Sequence, residues 1–465
     1  MNRLSFLKTA LVSSVAAMSF AGCATLSPND LGETLTADAA VSIPNNWLLD
    51  VPATTARAEG WAALYDDPTL LDYLKIAEVQ NYDLRIARAR VTAAEADLKR
   101  ANTRLSPQIS GSASAGVSAV VDSLDDPFDS YGLGLSGRWD PDIFGQTQTI
   151  IDGSRAALKI AEASEADTRQ IILAQTARAY IRAVEAELQA ELAKVNLDFL
   201  TESRRISEAR YRAGDSAKGD FSFAEANYQS ALASYENTLQ SARAAKRALS
   251  IVLGDYPVND LQLASVINTP RQFPSRALPA SVLEARPDII AARAQIAARV
   301  ASLRSNELSY WPDIGITGGL SSGSAFSDLF DPGDYVARLG ASLGQVIFDG
   351  GAIEAGIDAA KADLDSAVLS YEQRLRRAMG EITDAYDRAE TLQRTLVNQE
   401  AASTSANEAL RLASLQYDLG ESSLLEVLQV QTRVNSIDAG LIRTKAALIE
   451  TLIIANQAVA GFERI

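Results

Sequence analysis

Residues 171–200 read IILAQTARAYIRAVEAELQAELAKVNLDFL. Leu173, Ala177, Tyr180, Val184, Leu188, Leu192, Val195 and Phe199 recur at three- and four-residue spacing, the pattern of a coiled-coil-like helical face. The same character extends from Asp142 to Tyr256 without a proline. One break interrupts it, Tyr211-Arg-Ala-Gly-Asp-Ser216, where Gly214 can adopt the left-handed conformation that ends a helix. Two long helices joined by a tight turn are therefore expected. The first, of about 65 residues, would be roughly 95 Å long at about 1.5 Å per residue. Helices of ordinary globular domains run to only about 10–14 residues.

A second stretch, from Gly333 to Ile465, is again free of proline. Leu364, Val368, Tyr371, Leu375, Met379, Ile382, Tyr386, Ala389, Leu392 and Leu396 keep the helical spacing. Its single break, Tyr417-Asp-Leu-Gly-Glu-Ser422, repeats the first one 206 residues later. Other landmarks repeat at nearly the same distance: Asp83-Leu-Arg-Ile-Ala-Arg with Asp288-Ile-Ile-Ala-Ala-Arg, Pro107-Gln-Ile with Pro312-Asp-Ile, and Asp142-Ile-Phe with Val346-Ile-Phe. The chain is an internal duplication.

Between the helical stretches the period changes. From Pro68 a helix is expected to run to about Leu105 and stop before Pro107. Ile109, Gly111, Ala113, Ala115 and Val117 then alternate with Gln108, Ser110, Ser112, Ser114 and Ser118. A polar loop is expected over Asp122–Asp129. Tyr131, Leu133, Leu135 and Trp139 next alternate with Gly132, Gly134, Ser136 and Arg138. The second half repeats this with Ile314, Ile316 and Leu320, a loop over Ser322–Asp334 matching the first, and Tyr335, Ala337, Leu339, Ala341 and Leu343. Strands of about ten residues with one modestly apolar face and one Ser/Gly face show the weak alternation of a transmembrane barrel, where a soluble sheet would usually bury bulkier residues, but this signal alone is unspecific and a soluble sheet stays open. Four such strands cannot close a barrel, and open edges cannot sit in lipid. Several chains would have to share one barrel, two giving eight strands and three giving twelve.

The bulk composition excludes several classes. The chain has 465 residues, a net charge of −16 and no histidine. An acidic surface disfavours nucleic acid. Without histidine and with one cysteine, Ser-His-Asp and Cys-His catalysis, most zinc sites and any intrachain disulfide are ruled out. No paired-carboxylate motif points to a hydrolase, so the chain is not read as an enzyme and no cofactor is expected. At the N-terminus, Arg3 and Lys8 precede an apolar run from Ala10 to Ala21, as in a secretory signal peptide. Phe20-Ala-Gly-Cys23 resembles a bacterial lipobox, which makes Cys23 the expected site of covalent lipid and, with Ala24 following, points to the outer membrane. Trp47 and Trp61 would anchor the segment that follows Cys23.

With these elements in place the chain resembles the outer-membrane factor family, the TolC-like channels of tripartite efflux pumps and type I secretion. The residues that carry the resemblance are Arg286-Pro-Asp288, Tyr310-Trp-Pro-Asp-Ile314, Gln345-Val-Ile-Phe-Asp-Gly-Gly351, Trp139-Asp-Pro-Asp-Ile-Phe-Gly145 and the paired Tyr-x-x-Gly turns. The lipobox makes it similar to the NodT-like lipoprotein branch that works with resistance-nodulation-division (RND) pumps. The implied fold is mainly α with a transmembrane β-barrel: four strands and long coiled-coil helices per protomer, and a homotrimer forming a twelve-stranded barrel plus a periplasmic α-barrel. The implied partners are a periplasmic adaptor (membrane fusion) protein, an inner-membrane RND-type pump and outer-membrane lipid. The implied role is a passive exit duct; a type I secretion channel and a periplasmic coiled-coil spacer without a pore are the alternatives.

The expected organisation is a signal peptide over 1–22, a lipidated extended segment over 23–66, and a first repeat over 67–256 with a β-hairpin at 107–141 and a helical hairpin at 142–256. A connector covers 257–285, and a second repeat covers 286–465 with a β-hairpin at 312–347 and a helical hairpin at 348–460. The resemblance places a gate at the helical turns. Asp220 and Glu426 occupy matching positions there and are either acids around a cation-attracting mouth or solvated surface charges. Gln429 stands where the family often has Asp. Leu425 is an apolar constriction or coiled-coil packing, and Tyr417 and Asp418 are candidates for contacts that hold the gate shut. Gly214 and Gly420 mark tips that meet the adaptor, or simply turns that need glycine.

Overall fold

The computed structural model describes residues 67–120, 123–269, 279–323, 326, 329 and 331–459. The signal peptide, Cys23, Trp47 and Trp61 lie outside the described residues. In chain order the elements are α1 (Pro68–Gln80), α2 (Tyr82–Asn102), β1 (Gln108–Val120), β2 (Ser123–Trp139), α3 (Gln146–Ala213), α4 (Lys218–Leu253), α5 (Pro279–Ala285), α6 (Pro287–Leu308), β3 (Asp313–Ser322), β4 (Val336–Gly344), α7 (Ala352–Asp418) and α8 (Leu424–Ala458). They divide into two compact units, one containing 94–159 and 292–371, the other containing residues 160–291 and 372–459 together with the N-terminal part through 93. No helix among the described residues is long and apolar enough to cross a membrane.

In the first unit the four strands form one antiparallel sheet in the order β1-β2-β3-β4. The central pairing, β2 with β3, joins the two halves of the duplication. Small residues let the helices approach one another: a Cβ on Gly153 would touch Ala301 at 3.6 Å, and Ala156, Ala301 and Ala360 are buried. Beyond the sheet, Trp139 Nε1 donates to the Leu105 carbonyl at 3.0 Å, and the Phe144 ring stacks on Trp311 at 5.2 Å. Asp142, in the left-handed region at φ 48°, accepts from the Thr147 and Gln148 amides and so caps the start of α3. Asp349 does the same for α7, accepting from the Gly351 and Ile353 amides. Carboxylates at helix N-termini satisfy amides that have no partner within the helix.

The second unit is helical. Leu173, Ala177, Tyr180 and Val184, the face read from the sequence, are at most 1 % exposed. They pack with Leu70 and Leu74 of α1, Leu249 of α4 and Ile449 and Ile453 of α8. The Tyr180 hydroxyl donates to Asp67 at 2.6 Å and accepts from the Ala264 amide at 3.1 Å. Burial, then the Asp67 acceptor, push its pKa upward. On α7, Ile382 and Tyr386 pack against Val282 and Ala458, and Ala389 and Leu396 pack against Leu448 and Leu452. Farther along α3 the predicted face opens, with Val195 56 % exposed.

Three expectations are corrected. The helix read as continuous from Pro68 to Leu105 is two, because Asn81 ends α1 and starts α2. Its Oδ1 accepts from the Asp83 and Leu84 amides, and its Nδ2 donates to the Val252 carbonyl at 2.8 Å. That last contact is tertiary and leaves no periodicity signal. The polar loop expected over 122–129 is largely strand, since β2 begins at Ser123. Backbone pairing can outrun side-chain alternation because the ladder bonds involve only main-chain groups. The two loops consequently differ, for the second contains a 3₁₀ turn at Pro332–Asp334 capped by Asp331.

Candidate functional site

The sheet carries its chemistry in its register. Gly111 lies opposite Leu135, Ala113 opposite Leu133 and Ala115 opposite Tyr131. Leu135 in turn meets Leu320, and Trp139 meets Ile316, while Ile314, Ile316, Gly318 and Leu320 meet Leu343, Ala341, Leu339 and Ala337. Side chains alternate faces along a strand, so every apolar position named in the sequence lies on one face of the sheet. That face is open, with Leu339 86 % and Ile109 78 % exposed.

The other face is small and hydroxylic. Ser110 and Ser136 hydroxyls meet at 2.8 Å. Glycines sit where a Cβ would press on a hydroxyl: Gly132 against Ser114 at 2.9 Å and Gly134 against Ser112 at 3.0 Å. Two cations interrupt this surface, Arg138 and Arg338. The sheet has two free edges: β1 pairs only with β2, and β4 only with β3, among the described residues. An exposed apolar face with unpaired edges is not stable as a monomer in water.

In the helical unit the two breaks fold alike. Gly214 and Gly420 are left-handed, at φ 83° and 79°. The Asp215 amide donates to the Arg210 carbonyl and the Glu421 amide to the Gln416 carbonyl, at 2.9 and 2.8 Å. These six-to-one bonds are the Schellman ending of α3 and α7. Asp220 and Glu426 are both the third residue of the helix that follows, α4 and α8, and both are exposed. Glu426 closes the start of α8: Ser423 Oγ, at the N-cap, accepts from the Glu426 amide, and Ser422 Oγ donates to the Glu426 carboxylate at 2.8 Å. A carboxylate in a first helical turn is favourable in itself.

Tyr417 lies near the end of α7, and its hydroxyl is buried with no hydrogen-bond partner among the described residues. The Arg210 guanidinium stands 5.1 Å from the centre of its ring, a cation–π contact that links α3 to α7. Arg210 is a residue the sequence reading missed; its only signal was a basic side chain in the last turn of a helix. The first tip is further tied by Tyr211 stacked on Phe221 at 5.9 Å. Asp418 is the last residue of α7 and is exposed. Leu425, half exposed, and Gln429 line a groove of about 340 Å³ with Leu200, Phe223 and Asn435. The Asn435 amide there donates to Asn196, joining α8 to α3.

Farther from the tips, Arg286 is 11 % exposed. It donates twice to Asp288, once to Glu381 and once to the Ala458 carbonyl, at 2.9–3.0 Å. Asp167 shares this region. Its carboxyl is raised above the usual range first by burial and next by Asp288, against the opposing pull of Arg286 and Arg374.

Residues 73–255 and 278–455 match the family model for outer membrane efflux proteins. The pyoverdine export outer membrane protein OpmQ of Pseudomonas aeruginosa is 26 % identical over 445 residues, covering 91 % of this chain and 92 % of its own length. The cation efflux system protein CusC of Escherichia coli K12 is 24 % identical over 420 residues, covering 89 % and 91 %. The open state of the Neisseria gonorrhoeae MtrE outer membrane channel superposes with a TM-score of 0.81 at 24 % identity, covering 90 % of this chain and 96 % of MtrE. With both halves of the duplication matched, the chain belongs to the outer membrane efflux protein family and is an outer-membrane component of export.

Proposed function

We propose that three copies of this chain close one twelve-stranded barrel across the outer membrane and continue into the periplasm as a helical tube, together forming the passive exit duct of a tripartite efflux pump. The observation that carries this is the register of the sheet, which gathers the apolar residues on one exposed face, the Ser/Gly residues on the other, and leaves both edges unpaired. Pairing β4 of one copy with β1 of the next satisfies both edges, turns the apolar face to lipid and encloses the polar face around water. Exposed Val195 on α3 and Val397 on α7 give the helices apolar surface to bury against neighbouring copies. A lipid on Cys23 adds a second anchor.

The periplasmic mouth is formed by the tips around Gly214 and Gly420, which also meet the periplasmic adaptor of an inner-membrane RND-type pump. Asp220 and Glu426 give the mouth three aspartates and three glutamates. Tyr417, held by Arg210, with Asp418 beside it, keeps the hairpins together, and Leu425 and Gln429 border the narrowing. Relatives bearing names of pyoverdine export and cation efflux favour efflux over type I secretion.

Planar-bilayer recording of the purified full-length protein tests this. Discrete conductances that rise in Leu425→Ser are expected. Membrane-inserted oligomers that stay silent with both chains would replace the duct by a spacer.

A further inference from the structure

The polar face of the sheet is not neutral. Among residues 108–117, 129–139, 313–322 and 336–344, its charged members are Arg138, Arg338 and Asp313. Arg338 lies opposite Gly319, and Gly319 opposite Ser136; Arg138 lies opposite Gln108 and Thr317. The two arginines are therefore two strands and two residues apart, about 12 Å between Cα atoms. Both are exposed. The Arg338 guanidinium donates to Ser321 Oγ at 2.9 Å, and neither arginine forms a salt bridge among the described residues.

The nearest acid on this face does not neutralise them. Asp313 lies opposite Gly344, four residues from Thr317 along β3, or about 13 Å from the level of Arg138. Closing the barrel does not supply another. Residues 108–117 of β1, the strand that would meet β4 of the next copy, contain no charged side chain. Apart from the two arginines, Gln108, Asp313 and Val336, this face is Ser, Thr and Gly. Asp140, the next carboxylate along the chain from Arg138, lies past the end of β2 and accepts from the Asp142 amide at 3.0 Å, so the two arginines keep their field in the lumen.

The geometry points to a function for this pair, resting on the lumen-facing assignment above: Arg138 and Arg338 form a band of six guanidinium groups inside the trimeric barrel that selects for anionic solutes. A twelve-stranded barrel has a Cα radius of about 12 Å. A long side chain reaching inward brings its charge to within about one Debye length, about 8 Å, of the axis. Passing solutes are therefore not screened from it. The acidic tips would draw cations, whereas this band favours small carboxylated, sulfated or phosphorylated molecules.

Ser136 is the place to probe. It is on the same face, two residues from Arg138 and in the cross-strand row of Arg338. In the full-length Ser136→Cys chain in intact outer membranes, the rates of modification by an anionic and a cationic methanethiosulfonate, both membrane-impermeant, are compared. Each rate is normalised to the reagent's reaction with a free thiol. The parent chain, whose only cysteine is Cys23, is the blank. The anionic reagent is expected to react on the order of fivefold faster, a ratio set by a local potential of roughly one thermal unit. Adding Arg138→Ser and Arg338→Ser should collapse the ratio to near one, and Arg→Lys at both positions should retain it. Labelling with a ratio untouched by the Arg→Ser changes overturns the cationic band while leaving the lumen in place. If neither reagent reaches the thiol of the Ser136→Cys chain in correctly assembled oligomers, the lumen assignment falls, and the band with it.

Discussion

Leu339 and Gly340 are neighbours in β4 with opposite fates if the sheet closes around water. Leu339 is on the apolar face, 86 % exposed and opposite Gly318. Gly340 is on the hydroxylic face, opposite Thr317. An arginine on the lipid face of a barrel costs about 2–4 kcal/mol at the bilayer midplane and little near the interfaces. Leu339 is fourth in a nine-residue strand, close to its middle, so the larger figure applies. Three copies per barrel bring the cost of Leu339→Arg to about 6–12 kcal/mol of assembly. Gly340→Arg places the same charge in water. Its Cβ meets Thr317 Oγ1 at 3.4 Å, an ordinary contact, so a loss below about 1 kcal/mol per copy is expected. The assay is the yield of heat-modifiable oligomer in outer-membrane fractions, with total chain quantified in parallel. Leu339→Arg should abolish the oligomer band and Gly340→Arg should preserve most of it. Equal loss in both, or the reverse order, would refute the assignment of faces on which the duct depends.

Other consequences can be measured separately. Arg286→Ala leaves Asp288 and the Ala458 carbonyl without their partner; about 2–3 kcal/mol should be lost, less than for a fully buried pair because Glu381 remains over half exposed, and thermal melting by circular dichroism reads it. Gly254→Ala should destabilise more than Gly214→Ala: both are left-handed, costing about 1 kcal/mol each, but a Cβ at Gly254 would lie 2.7 Å from the Gln80 carbonyl and at Gly214 would meet nothing. Asp167→Asn should raise the melting temperature near pH 8 and leave it unchanged near pH 4. The folded protein holds the Asp167 proton more tightly than the unfolded chain, so this carboxyl weakens the fold as pH rises through its raised pKa, and a pH-independent difference would count against the burial that raises it. Arg210→Ala removes the cation–π contact to Tyr417, of about 0.5–1 kcal/mol per copy, and should increase single-channel open time without reducing the oligomer.

The long helices, their turns and the alternating strands were legible in the sequence because each depends on near neighbours. Helical spacing exposed the face of Leu173, Ala177, Tyr180 and Val184; glycines at 214 and 420 exposed the turns; and an offset shared by matched landmarks exposed the duplication. The parity of Ile109 through Leu343 along each strand was legible for the same reason, since a strand alternates sides by its own geometry. The two hairpins were legible as well, but the sequence could not show that they lie side by side. The β2–β3 pairing, which makes one sheet of two repeats and sets the alternating apolar positions of both on one face, is a contact between residues nearly two hundred positions apart. Asn81 broke a periodic helix because its side chain found the Val252 carbonyl. Arg210 met Tyr417, and Arg138 came to share a face with Arg338, only once distant segments were folded together. Local propensity and period are written in consecutive residues; register, partners and the field inside a closed sheet exist only in the tertiary structure.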